Sequence, residues 1–170
     1  MSHVVPKSSP SKIESAMTVY ILAFAIGAIA GLRSMTAFAA IGWAAYFGWV
    51  NLGGSWLEFL GSVWAASVLT VLALGELVSD QLPSTPSRTV PVQFAGRIFV
   101  GAVAGAALGV PGHTWLMTAL AGVVGAVAGT LLGKEFRAWL AATFKADRPA
   151  ALIEDAIAIG SACLVALVIS

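Results

Sequence analysis

Charge is what this chain has least of. Asp, Glu, Lys and Arg make up 10% of its 170 residues, against about 25% in an average soluble domain. With 59% hydrophobic residues and a mean hydropathy of +0.92, the composition rules out a disordered chain and argues against a water-soluble globule. A 17.4 kDa domain has too few polar side chains here to cover that much apolar surface. A net charge of +1 leaves no basic footprint, so nucleic acid is not an expected partner. One cysteine excludes an intramolecular disulfide, and two histidines leave no ligand set for a metal centre. No cofactor is expected either. H-E-x-x-H, G-x-S-x-G, a phosphate loop and a dinucleotide fingerprint are all missing. So is the Gly-x-Gly-Asp of an intramembrane aspartyl protease, and no catalytic residue is expected. Alternating strand patterns are missing too, which argues against a membrane barrel.

What is there is a succession of long uncharged runs. A bilayer core of about 30 Å takes about 20 helical residues per crossing. After a polar N-terminal tail, 1–15, the gaps between charges predict six helices, at 16–32, 35–50, 57–79, 91–110, 113–133 and 149–170. Val110-Pro111-Gly112 breaks a run too long for one crossing. The proline-rich connector Asp80 to Pro91 (DQLPSTPSRTVP) cannot continue a helix. The expected fold is therefore all-α, a single polytopic transmembrane domain over 16–170 with the lipid bilayer as solvent. Residues 35–50 are the short segment, roughly 24 Å as a helix. They are crowded with Trp43, Tyr46, Phe47 and Trp49, which favour the interface. A signal-peptide reading of the N-terminus is disfavoured, because the apolar stretch runs long and the chain stays apolar beyond it.

Counting cations gives orientation. With six crossings, Arg33, Arg88, Arg97, Lys134, Arg137, Lys145 and Arg148 fall on one side, and Lys7 and Lys12 on the other. If the first two segments cross once together, all nine cations except Arg33 share a side. Charge counting favours five crossings and segment counting six. Both place 80–91 and 134–148 in the cytoplasm.

Glycine recurs as G-A-[I/V]-A-G at Gly27 to Gly31, Gly101 to Gly105 and Gly125 to Gly129. Two copies extend into ladders, Gly101/Gly105/Gly109 and Gly125/Gly129/Gly133. Such stripes let helix backbones approach closely, and tight packing is the plain reading. Because the pattern opens each half of the chain, a three-plus-three repeat of inverted topology is the sharper one.

Ionisable residues flanked by apolar sequence are costly in lipid, so they carry the candidate chemistry. Arg33 stands alone in GLRSMTA. Glu76 and Asp80 share one face in GELVSDQLP, and Glu154 and Asp155 open the last run in PAALIEDAIAIG. In the six-crossing arrangement all five approach one side. Arg33 is expected to pair with one carboxylate, leaving acidic groups around a vestibule for a small ion or polar substrate. The alternative is a plain interhelical salt bridge. Arg97 is expected to snorkel to the lipid headgroups, and Arg88 and Arg137 are further candidates for headgroup contact. His113 and Cys163 read as structural.

GLRSMTA, ELVSDQLP and LIEDAIAIG, in this order, resemble a bacterial integral membrane family catalogued as domain of unknown function 4126. The resemblance spans about residues 17–170 and implies about six helices with no established activity. Its pattern matches Arg33, Glu76, Asp80, Pro83, Glu154 and Asp155. Many members carry a longer polar stretch and an Asn-Pro before the last acidic pair, where this chain has Asp147-Arg148-Pro149.

Three functional expectations follow. The first is a small inner-membrane transporter or channel built on the Arg33 cluster, with a homodimer as its expected assembly because one chain encloses little space. The second is an assembly protein that docks partners through its glycine stripes. The third is a lipid-handling protein whose arginines gather phosphate headgroups.

Overall fold

The computed structural model describes residues 12–80 and 90–170, with side chains from Ser15 onward. Arg88, Pro83 and most of the N-terminal tail lie outside the described residues. Among the described residues six α-helices follow one another: α1 (Lys12–Leu32), α2 (Ser34–Tyr46), α3 (Val63–Ser79), α4 (Pro91–Gly109), α5 (Trp115–Phe144) and α6 (Asp147–Ile169), with a 3-10 turn at Glu58–Gly61 before α3. Among the described residues there is no strand. Four helices contain stretches long and apolar enough to cross a membrane: Ser15–Leu32, Pro91–Gly109, Trp115–Phe144 and Asp147–Ile169. The apolar helix Val63–Ser79 is shorter. Large apolar side chains cover the outside, with Val92 81%, Trp64 80% and Leu132 69% exposed. A surface of this kind belongs in lipid, and the chain is a membrane protein.

Several boundaries differ from the sequence expectation; the first helix begins at Lys12 rather than 16, and the third at Val63 rather than 57, after the 3-10 turn. The second segment is helical only to Tyr46; Phe47 to Leu57 then form turns, two of them on glycines with positive φ, Gly48 at 77° and Gly54 at 73°. The fifth helix runs through Gly133 to Phe144, taking in Lys134, Glu135 and Arg137. These residues are good helix formers, and charge alone does not stop a helix. It ends on Lys145 in the left-handed conformation, φ 51°. The last helix begins at Asp147, with Pro149 in its first turn, where no helical N–H is required of it.

α1, α4 and α5 form the inner layer, and glycine sets their separation. A Cβ added at Gly125 would lie 2.8 Å from the Ala28 nitrogen, and one at Gly129 would lie 2.8 Å from the Ala28 carbonyl carbon. At Gly101 it would strike the Ala126 side chain at 2.6 Å, and at Gly109 the Trp115 Cα at 2.9 Å. Gly27, Gly31 and Gly105 face Gly122, Ala126 and Thr118 backbone just as closely. Gly133 is buried on the same helix. Along these stripes the glycines from Gly27 to Gly129 meet backbone or side chains of neighbouring helices in the same chain.

These contacts also fix direction. Rising numbers on α1 meet rising numbers on α5, so the two run parallel, whereas α4 opposes both. α2 and α3 run antiparallel, with Trp43 Nε1 donating to Thr70 Oγ1 at 2.9 Å and Ala45 beside Gly61. Trp49 and Val50 line one cavity with Ser15, Leu22, Leu108, Pro111 and Ile169. The end of α2 therefore reaches the level where α1 starts and where α4 and α6 finish. Chain direction alternates from each helix to the next. The opening helices of the two halves, α1 and α4, are antiparallel, while α2 has 13 residues and α5 has 30.

Candidate functional site

Every sequence-predicted ionisable residue that the structure describes gathers at one end of this bundle. There the chain leaves α1 and enters α2 through a single residue, Arg33, whose backbone is extended at φ −142°, ψ 100°. A helix broken in this way strands carbonyls on one side and amides on the other. Arg33 N still donates to Ile29 O at 2.7 Å and Ala37 N to Arg33 O at 3.3 Å, so the stranded groups are those between.

Each has a partner. The Ala30 carbonyl accepts from Ser34 Oγ at 3.4 Å. Arg97 Nη1 donates to Gly31 O at 2.9 Å and to Leu32 O at 2.7 Å, and Thr130 Oγ1 donates to Gly31 O at 3.2 Å. Across the break, Ser34 N and Met35 N donate to the two oxygens of Glu76 at 3.0 and 2.9 Å. A cation thus sits at the C-terminus of α1 and an anion at the N-terminus of α2, the placement that the helix dipoles favour. Arg97 Nη2 and Glu76 Oε1 are themselves 3.8 Å apart.

The Arg33 side chain is fully buried. It pairs with two carboxylates rather than one: Nη1 with Asp80 at the end of α3, and Nε with Asp155 Oδ1 at 2.7 Å from α6. A guanidinium can face two acids at once because its donors form a rigid fork. Arg137, on α5, extends the cluster. It grips Asp147 with two bonds of 3.1 and 2.7 Å, donates to the Asp80 carbonyl at 3.1 Å and approaches Glu154 Oε2 at 3.6 Å. Glu154 is 1% exposed and Asp155 7%.

Among the described residues the result is one network of three arginines and five carboxylates drawn from four helices and the α1–α2 break. Arg33, Glu76, Asp80, Glu154 and Asp155 belong to it. Two headgroup candidates belong to it as well, which corrects the sequence reading. Arg97 is 5% exposed and holds α1 instead of snorkelling, and Arg137 holds α6 against α5. Arg88 lies outside the described residues. Asp147 and Thr130 were missed altogether, as was Gly122 in the inner layer. For the two arginines a signal exists. Arg97 lies four residues before Gly101 and Arg137 four after Gly133, so each continues a glycine stripe that faces inward.

The chain belongs to the family described as a domain of unknown function (DUF4126), whose model matches residues 20–169. Neither a curated protein nor a solved structure matches it.

Proposed function

We propose that this family member is a small transporter or channel of the bacterial inner membrane, working through the Arg33 network. One observation carries the reading. A fully buried arginine interrupts a membrane helix and joins a cluster in which, among the described residues, carboxylates outnumber arginines five to three. Ionisable side chains at membrane depth are expensive and are retained where ions, protons or polar solutes pass. Broken helices whose ends are held by charge are a recurrent framework for such sites. An excess of carboxylate gives the site acidic groups to exchange a proton or hold a cation.

Six crossings suit the alternating chain direction. They place Arg33, Arg97, Lys134, Arg137, Lys145 and Arg148 at one end, which the positive-inside rule assigns to the cytoplasm. The lipid-handling reading loses support from Arg97 and Arg137, whose guanidinium groups are engaged within the chain.

The test is flux of protons and common cations into liposomes, wild type beside Glu154→Gln at matched incorporation. Flux in the wild type that disappears in the variant supports the reading. Equal flux in both removes Glu154 from the pathway, and absence of flux in both moves the function away from these ions.

A further inference from the structure

The six helices are not held equally. Glycine brings α1, α4 and α5 into backbone contact, and α2 is buried through Ala37, Ile41 and Ala44. α3 is different. Its buried residues are Ala66 and Ala73, and among the described residues it packs along α2 and the 3-10 turn but along no other helix to any extent. Between α3 and α4 lies an apolar cavity of about 290 Å³, lined by Phe38, Trp56, Leu69, Phe99 and Val103 among others. Among the described residues, few apolar contacts therefore fasten α3 to any helix but α2. Midway it rests on α2, with Ala66 beside Gly42 and Thr70 Oγ1 accepting from Trp43 Nε1, while its contacts with charged groups gather at the C-terminal end, in Asp80 on Arg33, Glu76 on the Ser34 and Met35 amides, and Arg97 beside Glu76. At the other end Gly61 rests on Ala45, its Cβ position 3.6 Å from the Ala45 carbonyl oxygen.

We propose that α3 is a gate, hinged at the 3-10 turn Glu58–Gly61 and latched at its far end by Asp80 and Glu76. Swinging it outward withdraws two carboxylates from Arg33 and from the first turn of α2. This uncovers, from the α3 side, the buried part of the network around Arg33. The α1–α4–α5 layer stays fixed, because backbones in contact have no slack to yield. Sparse burial and an attachment made of a few polar contacts are what distinguish a segment that opens locally from one that opens only with the whole fold. The gate deepens the transport reading by naming what controls access to the site, and it rests on that reading for its purpose but not for its motion.

The experiment measures spin-label distances in the full chain in lipid nanodiscs, with Cys163→Ala as background because that cysteine is exposed. One pair, Val78→Cys with Leu132→Cys, spans gate and core; the other, Ile21→Cys with Leu120→Cys, lies within the core. All four positions are exposed, at 66%, 69%, 62% and 52%. Asp80→Asn should add to the gate pair a population longer by about one helical turn, roughly 5 Å, with the core pair unchanged. Glu76→Gln should do the same if Asp80→Asn does not fold. An unchanged gate pair in a folded variant overturns the proposal, and so does equal broadening of both pairs. Lengthening without flux in the liposome assay would leave the gate standing and move the function away from protons and common cations; flux without lengthening would overturn the gate and keep the transport reading.

Discussion

Arg97 and Glu76 lie 3.8 Å apart and between them hold the two ends of a broken helix, one taking its carbonyls and the other its amides. Neither residue belongs to the helices it caps. The bend at Arg33 is therefore stabilised by side chains from α3 and α4, and its cost depends on both.

Replacing Arg97 by Met keeps the stem and removes the donors. The Gly31 carbonyl keeps Thr130, while Leu32 loses the donor that Arg97 supplies. The expected loss is about 1–3 kcal/mol of stability. Thermal unfolding in mild detergent, followed by tryptophan fluorescence, reads it; an unshifted transition would show that the caps are dispensable.

Arg33→Ala should cost more, roughly 3–5 kcal/mol, because Asp80 and Asp155 would then share a buried site without their common counter-charge. Arg33→Lys should recover little of this. An ammonium on a flexible stem does not present the planar fork that serves both acids. Equal stability of the lysine variant and the wild type would refute the bridging role.

The Arg137 pairs separate by burial. Asp147 has a side chain 63% exposed, so Asp147→Asn should change stability by less than about 1 kcal/mol despite its bidentate geometry. Arg137→Ala should be clearly worse, since it takes the nearby cation away from Glu154, which is 1% exposed. The same melts compare the two, and equal effects would mean that the exposed pair dominates.

Glycines of the same helix class should divide sharply. Gly129→Ala forces a methyl into the Ala28 backbone, and overpacking of this kind costs about 1–3 kcal/mol or more. Gly160→Ala meets nothing within 4 Å on α6 and should be neutral or gain up to about 1 kcal/mol from helix propensity. Comparable destabilisation at both positions would contradict the packing of the inner layer.

Much of the site was legible because isolated charge in apolar sequence is conspicuous. Arg33, the Glu76/Asp80 pair and the Glu154/Asp155 pair needed only a count of charges and the helical repeat. Partners were harder. A cation near the end of a helix can turn to water or to the protein interior, and the choice depends on which face the helix buries. For Arg97 and Arg137 the glycines four residues away mark that face, but only when stripe and charge are read together. The break itself was legible, since Arg33 separates two apolar runs, but its caps were not, because they come from Arg97, Thr130 and Glu76 on other helices, which no local pattern announces. The extent of α5 was missed for a related reason: Lys134 to Phe144 is polar enough to look like a connector, yet every residue in it suits a helix.

Arg33 emerges early in synthesis, but its two carboxylates stand 47 and 122 residues further along. The first helices therefore enter the membrane with an unmatched positive charge and an uncapped bend, and the last counter-charge is supplied only when the final helix arrives. Quality control during biogenesis has a natural handle in that delay. A chain that stops before α6 displays an arginine with half its neutralising partners, at the place where the finished protein keeps it fully covered.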